Sequence, residues 1–339
     1  MTIEHETGHA AEDAGKLLKE LLGDERVKTA EPMAGHCSFR TGGPADLFLY
    51  IRTFSEMQAA VRILKDTEMP YFILGRGSNL LVGDRGYRGC ILTMTGERAL
   101  PVTDTLEETF HKEEQGADTP LTENTCGLAI KDNSITAGAG VSLAFLAGAA
   151  RTAGLAGLAF AAGIPGSVGG GLVMNAGAYD GELKQCVRSV LLLMPDGTLQ
   201  WKSREEMAFG YRTSLLKKIP AIALEAVFDL TPDDPERITA RMQELARKRK
   251  EKQPLEFPSA GSTFKRPEGM FAGKLIEDAG LRGYSRGGAA VSEKHCGFVV
   301  NKNGATSRDI RNVIEDVKKR VLENSGVLLE EEVIFLGEF

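Results

Sequence analysis

The sequence predicts a protein of mixed helices and strands in two or three domains. Strand-like runs broken by glycine alternate along it with short amphipathic helices that carry their own caps, the pattern of mixed layers. Its 339 residues are more than one hydrophobic core usually organises. Glycine is in excess, 39 residues or about 12% against a usual ~7%. The glycines cluster without a period, so they mark places where backbone turns tightly or touches something closely.

The elements follow in order. Residues 13–22 (DAGKLLKELL) read as a short amphipathic helix, and CSFRTGGPADLFLYI (37–51) as a glycine-broken strand pair. Thr53 and Glu56 form a capping box, Met57, Val61 and Leu64 make one helical stripe, and Pro70 stops the helix. YFILGRGSNLLV (71–82) reads as strand, glycine loop, strand. The polar segment 102–125 has no periodicity and is expected to be an exposed insertion or hairpin. Ser142 caps a small-residue helix that ends near Gly154. Residues 189–197 and 221–230 are strand-like and flank FGYRTS (209–214). PDDP (232–235) turns into a helix over 236–250, with Asp234 as cap and Pro235 at its first position. Near the end come a strand, a turn and a helix capped by Thr306 with Asp309. Its face is Ile310, Val313, Ile314, Val317 and Val321, Gly326 closes it, and VLLEEEVIFLG (327–337) reads as the last strand.

Composition narrows the function. A net charge of −6 argues against a nucleic-acid binder, which needs concentrated positive charge. The basic run 247–252 fits the solvated end of a helix. Five cysteines with no C-x-x-C pair indicate neither a zinc site nor a disulfide framework. The acidic N-terminus lacks the apolar core of a signal peptide, and no run reaches the ~20 apolar residues of a membrane span. A reduced, cytoplasmic protein is the expectation.

Five motifs carry candidate chemistry. GSTFKRP (261–267) presents Ser262, but no Gly-x-Ser-x-Gly elbow surrounds it and none of the five histidines has a triad context, so a turn is the simpler role. LGRGSNLL (74–81) lacks the third glycine of a dinucleotide fingerprint. It serves either as a hairpin turn or as a loop of free N–H groups for a pyrophosphate. Residues 161–178 hold six glycines and no charge, which suggests a backbone pressed against a large, flat or phosphate-bearing ligand. Arg212 in FGYRTS is a fixed cation for a carboxylate, or a surface ion pair; Glu330, Glu331 and Glu332 form a run of acids that is ordinarily a solvated edge.

Taken in order, FRTGGPAD, LGRGSNLLV, GIPGSVGGGLVMNAGAY, GYRTS, SAGSTFKRP, AGKLIEDAGLRG and GGAAVSEKHCGFVVN resemble the UDP-N-acetylenolpyruvoylglucosamine reductase family. Each alone is common; the seven in this order are specific. The resemblance implies a two-lobed FAD-binding region of the vanillyl-alcohol-oxidase/PCMH type plus a smaller α+β substrate-binding domain. The implied division is an extension over 1–27, lobes over 28–95 and 96–230, a substrate domain over 231–325 and a returning strand over 326–339. NADPH would reduce a non-covalently held FAD, no His for a covalent link being present in either glycine loop. UDP-N-acetylglucosamine enolpyruvate would then accept hydride at its vinyl group.

The resemblance also implies residue roles. Arg40, Thr41 and Gly42 would bind cofactor, as would Gly75, Arg76, Gly77, Ser78, Asn79 and Leu80. A third cofactor segment would run through Gly163, Ile164, Pro165, Gly166, Ser167, Gly169 and Gly170 to Asn175, Ala176, Gly177 and Ala178. Ser262 would protonate the substrate, while Arg212 and Glu332 would stabilise its developing charge. Tyr211, Lys252, Gly261, Lys265 and Arg266 would contact the sugar nucleotide. Residues 213–257 contain no Tyr, which resembles the subgroup without a substrate-covering tyrosine loop. A monomer or weak oligomer without metal is expected. The competing expectations are another FAD-dependent oxidoreductase of the PCMH fold and a non-catalytic module that binds flavin or nucleotide sugar.

Overall fold

The computed structural model describes residues 3–94 and 124–339, so the expected insertion lies, but for its last two residues, outside the described residues. Contacts group the chain into two units, one of residues 1–28, 47–75 and 90–247, the other of 29–46, 76–89 and 248–339. The units are therefore interleaved along the chain, unlike the consecutive segments expected from sequence.

The first unit begins with the helix Ile3–Leu22, longer than expected because its polar opening turns carry no stripe to read. Leu18 and Leu22 are buried. The helix Phe54–Asp66 carries the expected capping box, with Thr53 Oγ1 accepting the Glu56 N–H at 3.1 Å and Glu56 Oε2 accepting the Thr53 N–H at 3.2 Å. Behind it lies an antiparallel sheet of five strands in the order Leu199–Ser203, Val187–Leu193, Ile222–Asp229, Ser134–Gly138, Leu128–Lys131. Both faces of this sheet are covered. Leu191, Leu193, Ile222 and Leu224 join one core with Phe54 and Met57, while Val190, Leu192, Ala226 and Phe228 join another with Leu143 and Leu172. Successive side chains of a strand point to opposite faces, which is why these strands read as continuous apolar runs.

In the second unit the helix Ser307–Ser325 is capped by Thr306 with Asp309, closes at Gly326 in the left-handed conformation, and buries the predicted face. It packs on the three-stranded antiparallel sheet Ser285–Arg286, Ala289–Val291, Val299–Asn301. The helix Ala272–Asp278 was not expected. The predicted last strand shrinks to Ile334–Leu336, which pairs in parallel with Leu80–Val82.

Two readings are corrected. Residues 37–43 form no strand; the chain turns there through Arg40 at φ 55 and Gly42 at φ 132, then enters the strand Pro44–Tyr50. Tyr71–Leu74 and Leu80–Val82 do not form a hairpin. The first pairs in parallel with Cys90–Thr93 and the second with the C-terminal segment, so the loop between them is free for another task.

Thr306→Ala should destabilise the protein by about 1 kcal/mol, the usual worth of a side-chain N-cap, and the loss should show as a lower unfolding midpoint.

Candidate functional site

Two of the sequence motifs meet in the second unit. Ser38 N–H donates to the Gly77 carbonyl at 3.0 Å, and a Cβ on Gly77 would lie 2.0 Å from the His36 carbonyl oxygen. Only glycine fits there, and its φ of 60 favours glycine as well. Arg40, Thr41 and Gly42 follow in the same turn; a Cβ on Gly42 would come within 2.8 Å of the Val82 Cβ. The main-chain N–H groups of Arg76, Gly77, Ser78 and Asn79 make no hydrogen bond among the described residues. Consecutive unbonded N–H groups in a turn form an anion-binding concavity.

In the first unit the glycine-rich stretch lines a cleft of about 90 Å³ with Ile73, Leu74, Gly75, Ala139, Gly140 and Ala221 to Ala223. A Cβ on Gly75 would sit 2.7 Å from Ser167 Oγ, and one on Gly169 2.9 Å from the Ala139 Cβ. The short helix Val168–Met174 starts here but keeps its first N–H groups inside the protein: Val168 donates to Val141, Gly169 to Ala139 and Gly170 to Ser167 Oγ. The stretch Gly163, Ile164, Pro165, Gly166 leads into that cap and is tied to the next helix by the Leu143 N–H on the Gly166 carbonyl at 3.0 Å. A larger, shallow hollow of about 380 Å³ beside Arg151, Pro235 and Thr239 holds none of the motifs.

Asn175 ends the short helix at φ 44, fully buried. Its Nδ2 donates to Glu182 Oε2 at 2.7 Å and to the Gly210 carbonyl at 3.1 Å, and its Oδ1 accepts the Lys184 N–H at 2.9 Å. Its side chain is spent within the unit, so it shapes the turn Ala176, Gly177, Ala178 through the backbone. Gly210 and Thr213 exchange two main-chain hydrogen bonds around Tyr211 and Arg212. Arg212 stands at φ 54, where a turn of this kind ordinarily takes glycine. Its Nη2 donates to the Gly177 carbonyl at 3.3 Å, and its guanidinium lies 5.2 Å from the exposed Tyr211 ring. A left-handed non-glycine residue costs roughly 1–2 kcal/mol, and such strain gathers at functional sites.

The second unit also joins Ser262 to Glu332, which lie far apart in sequence. Between them is Thr263, fully buried and missed by sequence reasoning. Its N–H donates to the Gly297 carbonyl at 2.8 Å, its Oγ1 accepts the Val299 N–H at 2.9 Å, and its carbonyl accepts the Glu332 N–H at 2.8 Å. Ser262 is exposed beside it, after Gly261 at φ 77. The acid run sorts itself. Lys265 Nζ lies 2.6 Å from Glu330 Oε2, and Lys318 Nζ lies 2.6 Å from Glu331 Oε1. The Lys265 hydrogen bond holds the Glu330 carboxyl below its usual range, and Glu331 raises the Lys318 ammonium. Glu332 sits where the chain changes partners, between the Phe264–Glu331 antiparallel bridge and the parallel pairing that starts at Ile334.

Of the other expected substrate residues, Lys252 is exposed at the end of the helix Pro235–Lys252, and Arg266 stacks 4.7 Å from the exposed Phe271 ring. His295 supports the Gly297 turn on which Thr263 rests. Its Nδ1 accepts the Gly297 N–H at 3.1 Å and its ring meets Phe298 edge-on at 5.0 Å. Burial pushes its pKa below the usual histidine value. Among the described residues no group of three His, Cys, Asp or Glu is placed to hold a metal ion, and no helix is long and apolar enough to cross a membrane.

Comparison with known proteins shows the family. Residues 253–336 match a family model described as UDP-N-acetylenolpyruvoylglucosamine reductase, C-terminal domain, and residues 122–203 match an FAD binding domain. The chain is 48% identical over 310 residues to a UDP-N-acetylenolpyruvoylglucosamine reductase of Agathobacter rectalis, covering 91% of this chain and 93% of the relative. It is 44% identical over 321 residues to one of Clostridioides difficile, covering 95% and 97%. The crystal structure of UDP-N-acetylenolpyruvylglucosamine reductase from Thermus caldophilus superposes with a TM-score of 0.70 at 31% identity, covering 92% of this chain and 99% of that one.

Two stability measurements check the geometry. Arg212→Gly should unfold at a higher midpoint than Arg212→Ala, by about 1 kcal/mol, because both lose the same contacts and only alanine keeps the strain. That order reverses the usual ranking of the two residues inside regular structure. For His295 the sign follows from the lowered folded value. The unfolded imidazole takes its proton near pH 6.5 while the folded one resists, so stability is full above that pH and is lost as pH falls through and below it. Unfolding free energy should therefore drop between roughly pH 6.5 and 5.5, and His295→Gln should flatten that part of the curve.

Proposed function

The chain belongs to the UDP-N-acetylenolpyruvoylglucosamine reductase family and is an FAD-dependent oxidoreductase of peptidoglycan synthesis, and on that premise we propose how its own residues act. The proposed reaction reduces the enolpyruvyl group of UDP-N-acetylglucosamine enolpyruvate to UDP-N-acetylmuramate, with NADPH as the electron source. The observation that supports the residue roles is the rung from the Glu332 N–H to the carbonyl of Thr263, the residue after Ser262.

The residues fit the cofactor. Unbonded N–H groups from Arg76 to Asn79 suit a pyrophosphate, and the places of Gly75, Gly77 and Gly169 leave no room for a Cβ. Arg40, Thr41 and Gly42 in the adjoining turn, and Ala176 to Ala178 beyond the short helix, would complete the holding residues. FAD held there would supply hydride chemistry for the substrate's vinyl carbon C3. The charge to be answered would then lie at C2, next to the carboxylate.

The protein's residues answer that charge. The Arg212 guanidinium, fixed by its turn, would hold the substrate carboxylate and the charge spreading into it. Glu332, protonated or hydrogen-bonding, would balance the same charge. The Ser262 hydroxyl would give C2 its proton. A hydroxyl is a poor acid, but an enolate is a strong base, so the transfer runs downhill without a histidine partner. Lys252, Lys265 and Arg266 would balance the UDP diphosphate, with Tyr211 and Gly261 lining the sugar. Residues 213–257 hold a strand and a helix joined by short connections and contain no Tyr, which supports the subgroup without a covering tyrosine loop. Nucleotide sugars and NADPH are cytoplasmic metabolites, and the reading includes that location.

One anaerobic experiment tests it. NADPH should bleach the yellow protein and the enolpyruvyl sugar nucleotide should restore the colour. Ser262→Ala should leave the bleaching near normal and slow the recovery by roughly 10²–10⁴-fold, the usual worth of a positioned acid. Equal losses in both steps would refute the role given to Ser262.

A further inference from the structure

We infer that Asn79 is a positioning residue for Glu332. The inference rests on the catalytic reading above but concerns a residue which that reading uses only to hold cofactor. Asn79 grips the C-terminal segment at two points. Its Nδ2 donates to the Glu332 carbonyl at 2.9 Å, and its own carbonyl accepts the Ile334 N–H at 3.0 Å.

The grip falls where it is needed. At Glu332 the chain leaves one strand partner for another, so neither ladder alone fixes its backbone. Thr263 holds the Glu332 N–H and Asn79 holds its C=O. The anchor behind Asn79 is rigid, because Gly77, two positions away, is wedged against the His36 carbonyl and takes the Ser38 N–H. With its amide committed to Glu332, Asn79 has its main-chain N–H left for an anion. The loop that suits the pyrophosphate therefore also sets the height and direction of the catalytic carboxyl.

The Ile334 bond uses the main-chain carbonyl, but the Glu332 carbonyl needs a side-chain donor at this position. Aspartate has nearly the same shape but would face the Glu332 carbonyl with an acceptor in place of a donor.

The test is a double-mutant cycle read in the recovery step, in which the enolpyruvyl sugar nucleotide reoxidises the NADPH-reduced holoenzyme. Asn79→Asp should slow that step by on the order of 10-fold in the parent, and by less than about 2-fold when Glu332→Gln is already present, since residues acting through one another are not additive. Amide exchange of residues 330–336 should quicken in Asn79→Asp, while the helix Ser307–Ser325 stays protected. If Asn79→Asp does not fold, Asn79→Ser gives the same comparison. A loss of equal size in both backgrounds would overturn the positioning role and leave that of Glu332 standing. If Glu332→Gln alone leaves the recovery unchanged, the catalytic reading fails and this inference with it.

Discussion

The buried main chain of Thr263 is the constraint on which the second unit's candidate site depends. Three segments converge on it: the Gly297–Val299 turn through two hydrogen bonds, the C-terminal segment through the Glu332 N–H, and its own loop with Ser262 one residue before it. A backbone amide and carbonyl cannot be left unbonded in a protein interior. The cost of breaking any of the three therefore holds them in register. The chemistry borrows that rigidity. An exposed hydroxyl can be aimed because its neighbour, fully buried, cannot move.

The glycine-rich loops of the two units differ in a way their glycine content alone does not reveal. Both loops are rich in glycine, but for different reasons. In the second unit the glycine lets the backbone turn where four successive N–H groups make no hydrogen bond among the described residues, as the proposed anion site would need. In the first, the opening N–H groups of the helix Val168–Met174 are taken by the Val141 and Ala139 carbonyls and Ser167 Oγ, and Gly169 and Gly171 bring backbone close to neighbouring atoms. The electrostatic and the steric tasks are thus separate, although one kind of residue signals both.

What was legible in the sequence was local. The caps at Thr53, Ser142 and Thr306 each bond a donor three residues away, so they can be read from a few letters, as can the buried face of the last helix. Nonlocal choices were hidden. Val27–Pro32 is a strand although mostly exposed and polar, and Leu80–Val82 pairs with a segment at the far end of the chain. The run Gly169-Gly170-Gly171 forms helix against its propensity, because Ser167 caps it and Leu172 is buried in the core. The site residues named from the family resemblance needed the ordered series of motifs. Thr263 and Asn79 as supports could not be found that way, since their partners are carbonyls and amides that any residue would supply.

The interleaving of the chain has a practical consequence. The family match to residues 253–336 suggests a tidy module, yet the strand Ile334–Leu336 pairs with Leu80–Val82, and Asp84 accepts hydrogen bonds from the main-chain N–H groups of Ser307 and Arg308. Severing the polypeptide near 250 would strip that fragment of its neighbouring strand and bare an unpaired edge, an invitation to aggregate. The boundary at 253 is one of recognisable spelling; the boundary of independent folding lies elsewhere.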